Sequence, residues 1–87
     1  MNLTQKEKDI LTLIDDVLVD KVLEYCKKFV DYSEDEIKEI ISKLKDIGFI
    51  KTFTIPQGDE EKDWYAHTDK VKPEMLNDGL RYKKDMY

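Results

Sequence analysis

The chain is poor in the residues that build redox and metal sites. Its 87 residues include a single cysteine, Cys26, and a single histidine, His67. One cysteine cannot close an internal disulfide, and this pair is too small for the Cys and His clusters of structural zinc sites. No stretch approaches the roughly 18 unbroken apolar residues that span a bilayer, and no apolar leader opens the chain. The sequence therefore predicts a cytoplasmic protein with no metal, cofactor or membrane anchor.

Arginine is also scarce, because Arg81 is the only one among 15 basic residues, and 20 acidic residues outnumber them. The formal net charge is -5. An arginine fork on guanine is the commonest specific base contact, and phosphate binding needs positive charge. Composition thus argues against a nucleic-acid coat protein. The 40% of hydrophobic residues are enough for one small core, and the length leaves no room for a second.

Two helices are predicted at the start of the chain. Thr4 and Glu7 form a capping-box pair that opens a helix over residues 4–14. A β-favouring run at residues 17–19 follows, and Asp20 is predicted to cap a second helix. The absence of Gly and Pro up to residue 30 also suits one continuous helix, but residues 15–19 are poor helix formers. The predicted core positions of the second helix are Val22, Leu23, Cys26, Phe29 and Val30.

A third helix, a hairpin and a last helix complete the prediction. Ser33 and Glu36 form a second capping box, and Gly48 ends the third helix as a left-handed C-cap. Its apolar face consists of Ile37, Ile40, Ile41, Leu44 and Ile47. Residues 49–55 and 64–68 predict two strands joined by a polar turn over residues 56–63, which together form a long-looped β-hairpin. Pro73 is predicted to start the last helix at its N1 position, so residues 73–87 follow a domain over residues 1–72.

Three segments carry a resemblance to a known superfamily. Residues 3–11 read LTQKEKDIL, residues 44–50 read LKDIGFI and residues 65–70 read YAHTDK. They resemble, in order, the first helix, the junction between recognition helix and wing, and the exit from the wing of MarR-like winged helix-turn-helix domains, although Val71 stands where glycine is usual. The resemblance implies an α+β winged-helix fold and a non-enzymatic, DNA-binding transcription regulator whose third helix enters the major groove.

The charged residues support two hypotheses about the partner. If duplex DNA is bound, the predicted contacts are Lys38, Ser42, Lys43, Lys45, Lys62, Arg81, Lys83 and Lys84. However, a wheel at 100° per residue turns mainly carboxylates outward from the third helix, and the wing tip is acidic too. The alternative hypothesis is a protein-interaction module that binds a basic protein, and its candidate residues are Asp35, Glu39, Asp46, Glu60 and Glu61.

The remaining polar and apolar groups indicate structure and assembly rather than chemistry. Adjacent acids at residues 15–16 and 60–61 are interpreted as solvated turn residues, His67 as a strand-face histidine and Cys26 as core. We therefore predict no catalytic residue and no small-molecule substrate. The last helix either folds back on its own domain or pairs with a second copy, and a homodimer is predicted. Its contact residues would be Met75, Leu76, Leu80, Tyr82 and Met86.

Overall fold

Four helices and a three-stranded antiparallel sheet form the part of the chain described by the computed structural model, residues 2–86. The elements follow in the order α1 (Gln5–Leu13), β1 (Val17–Leu18), α2 (Val22–Cys26), α3 (Glu34–Asp46), β2 (Ile50–Gln57), β3 (Glu60–His67) and α4 (Asp78–Asp85). The strands lie in the order β1-β3-β2. This is the predicted α+β arrangement, with β2 and β3 as the hairpin wing.

Helix α1 forms as its capping residues predict. The Glu7 amide donates to Thr4 Oγ1 at 3.1 Å, and the Thr4 amide donates to Glu7 Oε1 at 2.8 Å. The apolar residues that follow are completely buried and begin the core, which they share with parts of α2, α3, β1, β2 and α4. These residues are Ile10, Leu11, Leu13 and Ile14.

Helix α2 is shorter than predicted, and the predicted cap at Asp20 is wrong. Asp20 belongs to a 3₁₀ turn, Val19–Lys21, and Lys21 is the N-cap residue without a side-chain hydrogen bond. The 3₁₀ turn directly follows the two residues of β1 that pair with β3, so the α-helix starts only at Val22. Of the five predicted core positions, Val22 and Cys26 are buried, while the other three are partly buried against the core. Burial raises the pKa of the Cys26 thiol to about 12.

Helix α3 begins and ends close to its predicted bounds. The Ser33 hydroxyl accepts from the Glu36 amide at 3.2 Å, but the Glu36 side chain binds Lys6 instead of completing the predicted capping box. At the other end Gly48 has φ +88°, and the Gly48 and Phe49 amides donate to the carbonyls of Lys45 and Leu44. This is a Schellman motif, which turns the chain directly into β2.

The predicted long loop of the hairpin is wrong. Strand β2 runs to Gln57 and β3 starts at Glu60, so Gly58 and Asp59 alone form the turn. Gly58 has φ +64°, the conformation that the first position of a type II′ turn needs. Most of the polar residues that are predicted as a loop lie in the two strands. Their backbone groups form hydrogen bonds across the hairpin, so this part of the strands needs no buried apolar face.

The C-terminal segment folds back onto α1. Pro73 begins a 3₁₀ turn, Pro73–Met75, rather than the last helix, and Asn77 caps α4 by accepting from the Leu80 amide. The prediction of a helix from Pro73 is thus wrong, because proline suits the first position of either kind of turn. Leu80 is buried in the core, and the Asn77 amide donates to Thr12 Oγ1 at 2.8 Å. Tyr87 lies outside the described residues.

No helix among residues 2–86 combines the length and apolar character needed to cross a membrane.

Candidate nucleic-acid interface

The exposed surface of α3 is divided into two edges of different chemistry. Toward the wing, Lys38, Ser42 and Lys45 line a shallow groove of about 240 Å³ together with Ile41, Asp46 and Tyr65. We call this the wing-side groove. The opposite edge of the helix faces α1, where Glu39, Ile40 and Lys43 lie beside Glu7. The two edges arise because positions 38, 42 and 45 share one side of the helix wheel, whereas 39 and 43 share the other.

Two ion pairs connect α1 with α3 or the start of α3. Lys43 Nζ lies 2.6 Å from Glu7 Oε2, and Lys6 Nζ lies 2.6 Å from Glu36 Oε2. The hydrogen bond from Lys43, with that from the Thr4 amide, lowers the pKa of Glu7, which is only 5% exposed. Lys43 is therefore a predicted DNA contact whose positive charge already neutralises a buried carboxylate.

The lysines of the wing-side groove are in a different situation. Lys38 and Lys45 are exposed, and neither forms an ion pair with any residue that the structure describes. They lie seven positions apart on the helix, about 10 Å along its axis, with Ser42 between them. The groove thus presents two uncommitted ammonium groups and a hydroxyl in one row, beside the carboxylate of Asp46.

Tyr65 is a groove residue that sequence reasoning did not assign to the interface. It pairs with Val17 on one side and Thr52 on the other, and it lines the groove with the lysines. Burial raises the pKa of Tyr65, so its phenol stays neutral and can donate a hydrogen bond. Strand alternation was the available signal, since Trp64 and Tyr65 must face opposite sides of β3 and one of them must face the helices.

The other predicted DNA contacts lie outside this groove. Lys62 Nζ is 3.3 Å from Glu60, Arg81 is 3.5 Å from Asp78, and Lys84 Nζ donates to the Thr12 carbonyl at 3.2 Å. Lys83 is exposed on α4. The structure therefore brings Lys38, Ser42 and Lys45 together and leaves the other predicted contacts apart from them.

The residues of the alternative hypothesis are exposed but do not form one continuous stripe. Asp46 lines the wing-side groove, whereas Glu39 lies on the α1 side. Asp35 is exposed near the start of the helix, and Glu60 and Glu61 lie in the wing strand. The acidic groups are thus dispersed over the two edges of α3 and the wing.

His67 links β3 to α1. Its Nε2 lies 2.6 Å from the Leu11 carbonyl, and because a carbonyl only accepts, Nε2 carries a proton. The His67 amide donates to Asp15 Oδ1 at 3.2 Å, so Asp15 is part of the packing and not the purely solvated turn residue that was predicted. Within residues 2–86, no cluster of three or more His, Cys, Asp or Glu side chains is arranged to hold a metal ion.

Comparison with known proteins supports the fold. Neither a protein-family model nor a curated protein sequence matches the chain. Among solved structures, smu.1704 from Streptococcus mutans UA159 is 21% identical with a TM-score of 0.56, over 99% of this chain and 82% of that one. PadR from Bacillus subtilis, solved in complex with operator DNA, is 24% identical with a TM-score of 0.55. That match covers 98% of this chain but 59% of PadR, so the chain spans only part of that protein's length. The helices, sheet and hairpin of this chain therefore form a winged helix-turn-helix domain, while the narrower MarR-like resemblance stays a prediction.

Proposed function

We propose that the protein is a small transcription regulator that binds duplex DNA through the wing-side groove. The observation that carries this proposal is the row of Lys38, Ser42 and Lys45 on one exposed edge of α3, next to Tyr65. PadR, which has a similar fold, was solved with operator DNA, and this supports duplex DNA as the partner. In this arrangement α3 would lie in the major groove and the hairpin would follow the backbone.

The chemistry of the groove suits phosphate contact better than base readout. Lysine ammonium groups act as flexible point charges, whereas specific reading of guanine favours the planar arginine fork. Asp46 could accept a hydrogen bond from a cytosine amino group, but it also repels nearby phosphates. We therefore expect modest affinity that depends steeply on salt and only weakly on base sequence.

We also propose a homodimer in which the segment over residues 73–87 is the dimerisation element of a domain over residues 1–72. Of the five predicted contact residues, Leu80 is buried in its own core, and Met75 and Leu76 pack against that core. Tyr82 and Met86 are 69% and 72% exposed. Tyr82 on α4 and Met86, the C-cap residue after the helix, lie four residues apart, so they supply the apolar surface for a second copy.

A mobility-shift titration with a random-sequence duplex tests DNA binding. We expect a shift at about 50 mM salt that is largely lost by about 200 mM, and lost at both concentrations in the double variant Lys38→Glu with Lys45→Glu. Lys43 is left intact because its replacement would unpair Glu7. The matched control is Lys8→Glu with Lys72→Glu, which changes the net charge equally outside the groove. Absence of any shift at about 50 mM salt would overturn the proposal as an intrinsic activity.

The second candidate is a basic protein partner, and the exposure of Asp35, Glu39 and Asp46 on α3 favours it. The double variant Glu39→Lys with Asp46→Lys separates the two functions. If the helix binds DNA, removal of this negative charge strengthens the mobility shift; if it binds a basic protein, the variant loses a partner that the original chain retains in pull-down.

A further inference from the structure

Strand β2 has an open edge. The strand order is β1-β3-β2, so β3 lies on one side of β2, and within residues 2–86 no strand lies on the other side. The opposite edge of the sheet is short, because β1 has only two residues, whereas β2 has eight. An open edge presents unpaired amide and carbonyl groups that can pair with another strand. Strand β2 is therefore the longer of the two edges that could accept one.

The register of the hairpin shows which backbone groups of β2 point toward the open edge. The Thr68 amide donates to the Phe49 carbonyl at 3.0 Å, so this pair bonds across the hairpin. Antiparallel residues alternate between bonding the neighbouring strand and facing away from it, so the even-numbered positions of β2 face outward. These positions are Ile50, Thr52, Thr54 and Pro56. Pro56 has no N–H, which suits an outward position at an edge.

The edge strand is almost free of charge. Charged side chains make up 40% of the whole chain and four of the eight residues of β3, but Lys51 is the only one in β2. Native proteins commonly protect an exposed edge with charged side chains. The alternating threonine, phenylalanine and isoleucine side chains of residues 52–55 are instead typical of a paired strand. This composition offers little to an acidic or basic partner and suits an equally uncharged strand.

We propose that β2 pairs with β2 of a second copy of this chain, antiparallel and about a two-fold axis at Phe53. In this register Thr52 of each copy lies opposite Thr54 of the other, and each such pair forms two hydrogen bonds. The Ile50 amide donates to the Pro56 carbonyl of the other copy, a bond that needs no proline N–H. The chain is thus complementary to itself along this edge.

The position of the two-fold axis follows from side chains. At Phe53 the two aromatic rings lie directly opposite each other, where aromatic pairs attract. Lys51 then lies opposite Ile55 of the second copy, and the two Lys51 residues are about 13 Å apart along the strand. An axis at Thr52 would bring the two lysines to diagonal positions, about 7–8 Å apart. The axis at Phe53 therefore avoids repulsion between like charges.

The contact is weak by itself. One pair of short strands buries much less than the roughly 1,200 Å² of a stable interface, so we expect a dissociation constant of the order of 0.5 mM. Edge pairing would therefore add to the proposed dimer through α4 only at high local concentration. The two-fold axis is perpendicular to the sheet, so both wing-side grooves lie on the same side of the joined sheet. The pairing requires neither DNA nor the α4 contact.

Amide hydrogen exchange of the ¹⁵N-labelled full chain tests the pairing without DNA. We expect the Thr52 and Thr54 amides to exchange about twofold more slowly at about 1 mM than at about 50 µM, because pairing protects them. The Phe53 and Ile55 amides face β3 and should not change. Unchanged exchange at Thr52 and Thr54, or slowing confined to α4, would overturn the proposal.

A foreign strand is the alternative occupant. A capped pentapeptide that alternates threonine with valine is added at about 1 mM to the chain at about 50 µM. We expect it to protect the Thr52 and Thr54 amides less than about 1 mM of the chain itself does, since it lacks the opposed phenylalanine. Stronger protection by the peptide would show that the edge prefers an unrelated strand and would contradict pairing with a second copy.

A proline substitution removes one outward amide. Thr54→Pro leaves the bonds between β2 and β3 in place, as Pro56 does two residues later. Thr54→Val is the matched control, because it also loses the hydrogen bond from Thr54 Oγ1 to Asp63 Oδ1, 2.6 Å long, but keeps the amide. We expect the concentration dependence at Thr52 to be lost in the proline variant and retained in the valine variant. Equal behaviour of the two folded variants would count against the pairing.

Opposed charges test the register without a backbone change. Thr52→Lys with Thr54→Lys places like charges directly opposite each other in the two copies, whereas Thr52→Glu with Thr54→Lys places opposite charges there. We expect the first variant to lose the concentration dependence at positions 52 and 54 and the second to retain it. If both variants lose it or both retain it, the register about Phe53 is wrong.

Discussion

At the residue scale, the ion pair between Lys43 and Glu7 is the contact with the clearest energetic consequence. Glu7 is 5% exposed, so removal of the lysine leaves its charge buried with fewer partners. We expect Lys43→Ala to lower the free energy of unfolding by about 1–2 kcal/mol. Lys45→Ala is the matched control, because Lys45 is exposed on the same helix and should change stability by less than about 0.5 kcal/mol. Urea unfolding followed by circular dichroism measures both, and equal losses would contradict this role.

The same carboxylate predicts how stability depends on pH. Hydrogen bonds from Lys43 and Thr4 hold the pKa of Glu7 below its ordinary value of 4.5. A folded-state pKa below the unfolded value means that the stabilisation is present above pH 4.5 and is lost as the pH falls through the folded-state pKa. We therefore expect the free energy of unfolding to fall below pH 4.5 and to fall less steeply in Glu7→Gln. Identical slopes in urea titrations of the two proteins would show that Glu7 is not responsible.

At the element scale, the junction between α3 and β2 fixes how the recognition helix meets the wing. Gly48 has φ +88°, and an added Cβ would lie 2.9 Å from Lys70 Nζ. The lysine end can move, but the left-handed backbone remains unfavourable for alanine. We expect Gly48→Ala to destabilise the fold by about 1–2 kcal/mol and Gly48→Asn to cost less, since asparagine tolerates this conformation. Thermal unfolding of both variants measures the difference, and equal midpoints would argue against backbone strain.

The elements that the sequence predicts correctly are those specified by local signals. Thr4 and Ser33 cap α1 and α3, and apolar residues at helical spacing follow each of them. The strand bounds of the wing are predicted wrongly because residues 60–63 are polar. These residues form a strand because they pair with residues 54–57. The start of α4 is also predicted wrongly, because contacts with distant residues determine it. Its cap, Asn77, is fixed by contacts with Thr12 and Asp9, 65 and 68 residues away.

At the scale of the whole molecule, the proposed dimer depends on Tyr82 of α4 and on Met86 at its C-cap. We expect light scattering of the unaltered chain to give the mass of a dimer, and Tyr82→Glu with Met86→Glu to give the mass of a monomer with unchanged circular dichroism. The matched control is Arg81→Glu with Lys83→Glu on the same helix, which should remain dimeric. A dimer that survives the first pair of changes would place the interface elsewhere. Leu80 is unsuitable for this test because it belongs to the core.

Only some residues of the candidate DNA-binding site can be predicted from the pattern of α3 alone. The wheel of α3 correctly places Lys38, Ser42 and Lys45 on its exposed surface. The wheel cannot show that Lys43 forms an ion pair with Glu7, because that contact depends on how α1 packs against α3. Nor can it show that Tyr65 faces the groove, since this follows from the register of β3 between β1 and β2. The composition of the site thus follows from tertiary packing more than from local pattern.

Amide chemical shifts test whether duplex DNA binds along the wing-side groove, because each residue gives its own signal. The ¹⁵N-labelled chain is titrated with a random-sequence duplex of about two helical turns at about 50 mM salt. We predict shift changes that concentrate in residues 38–46 and at Thr52 and Tyr65, and that disappear in Lys38→Glu with Lys45→Glu. Changes confined to α4, or no changes at this salt concentration, would contradict binding along this groove.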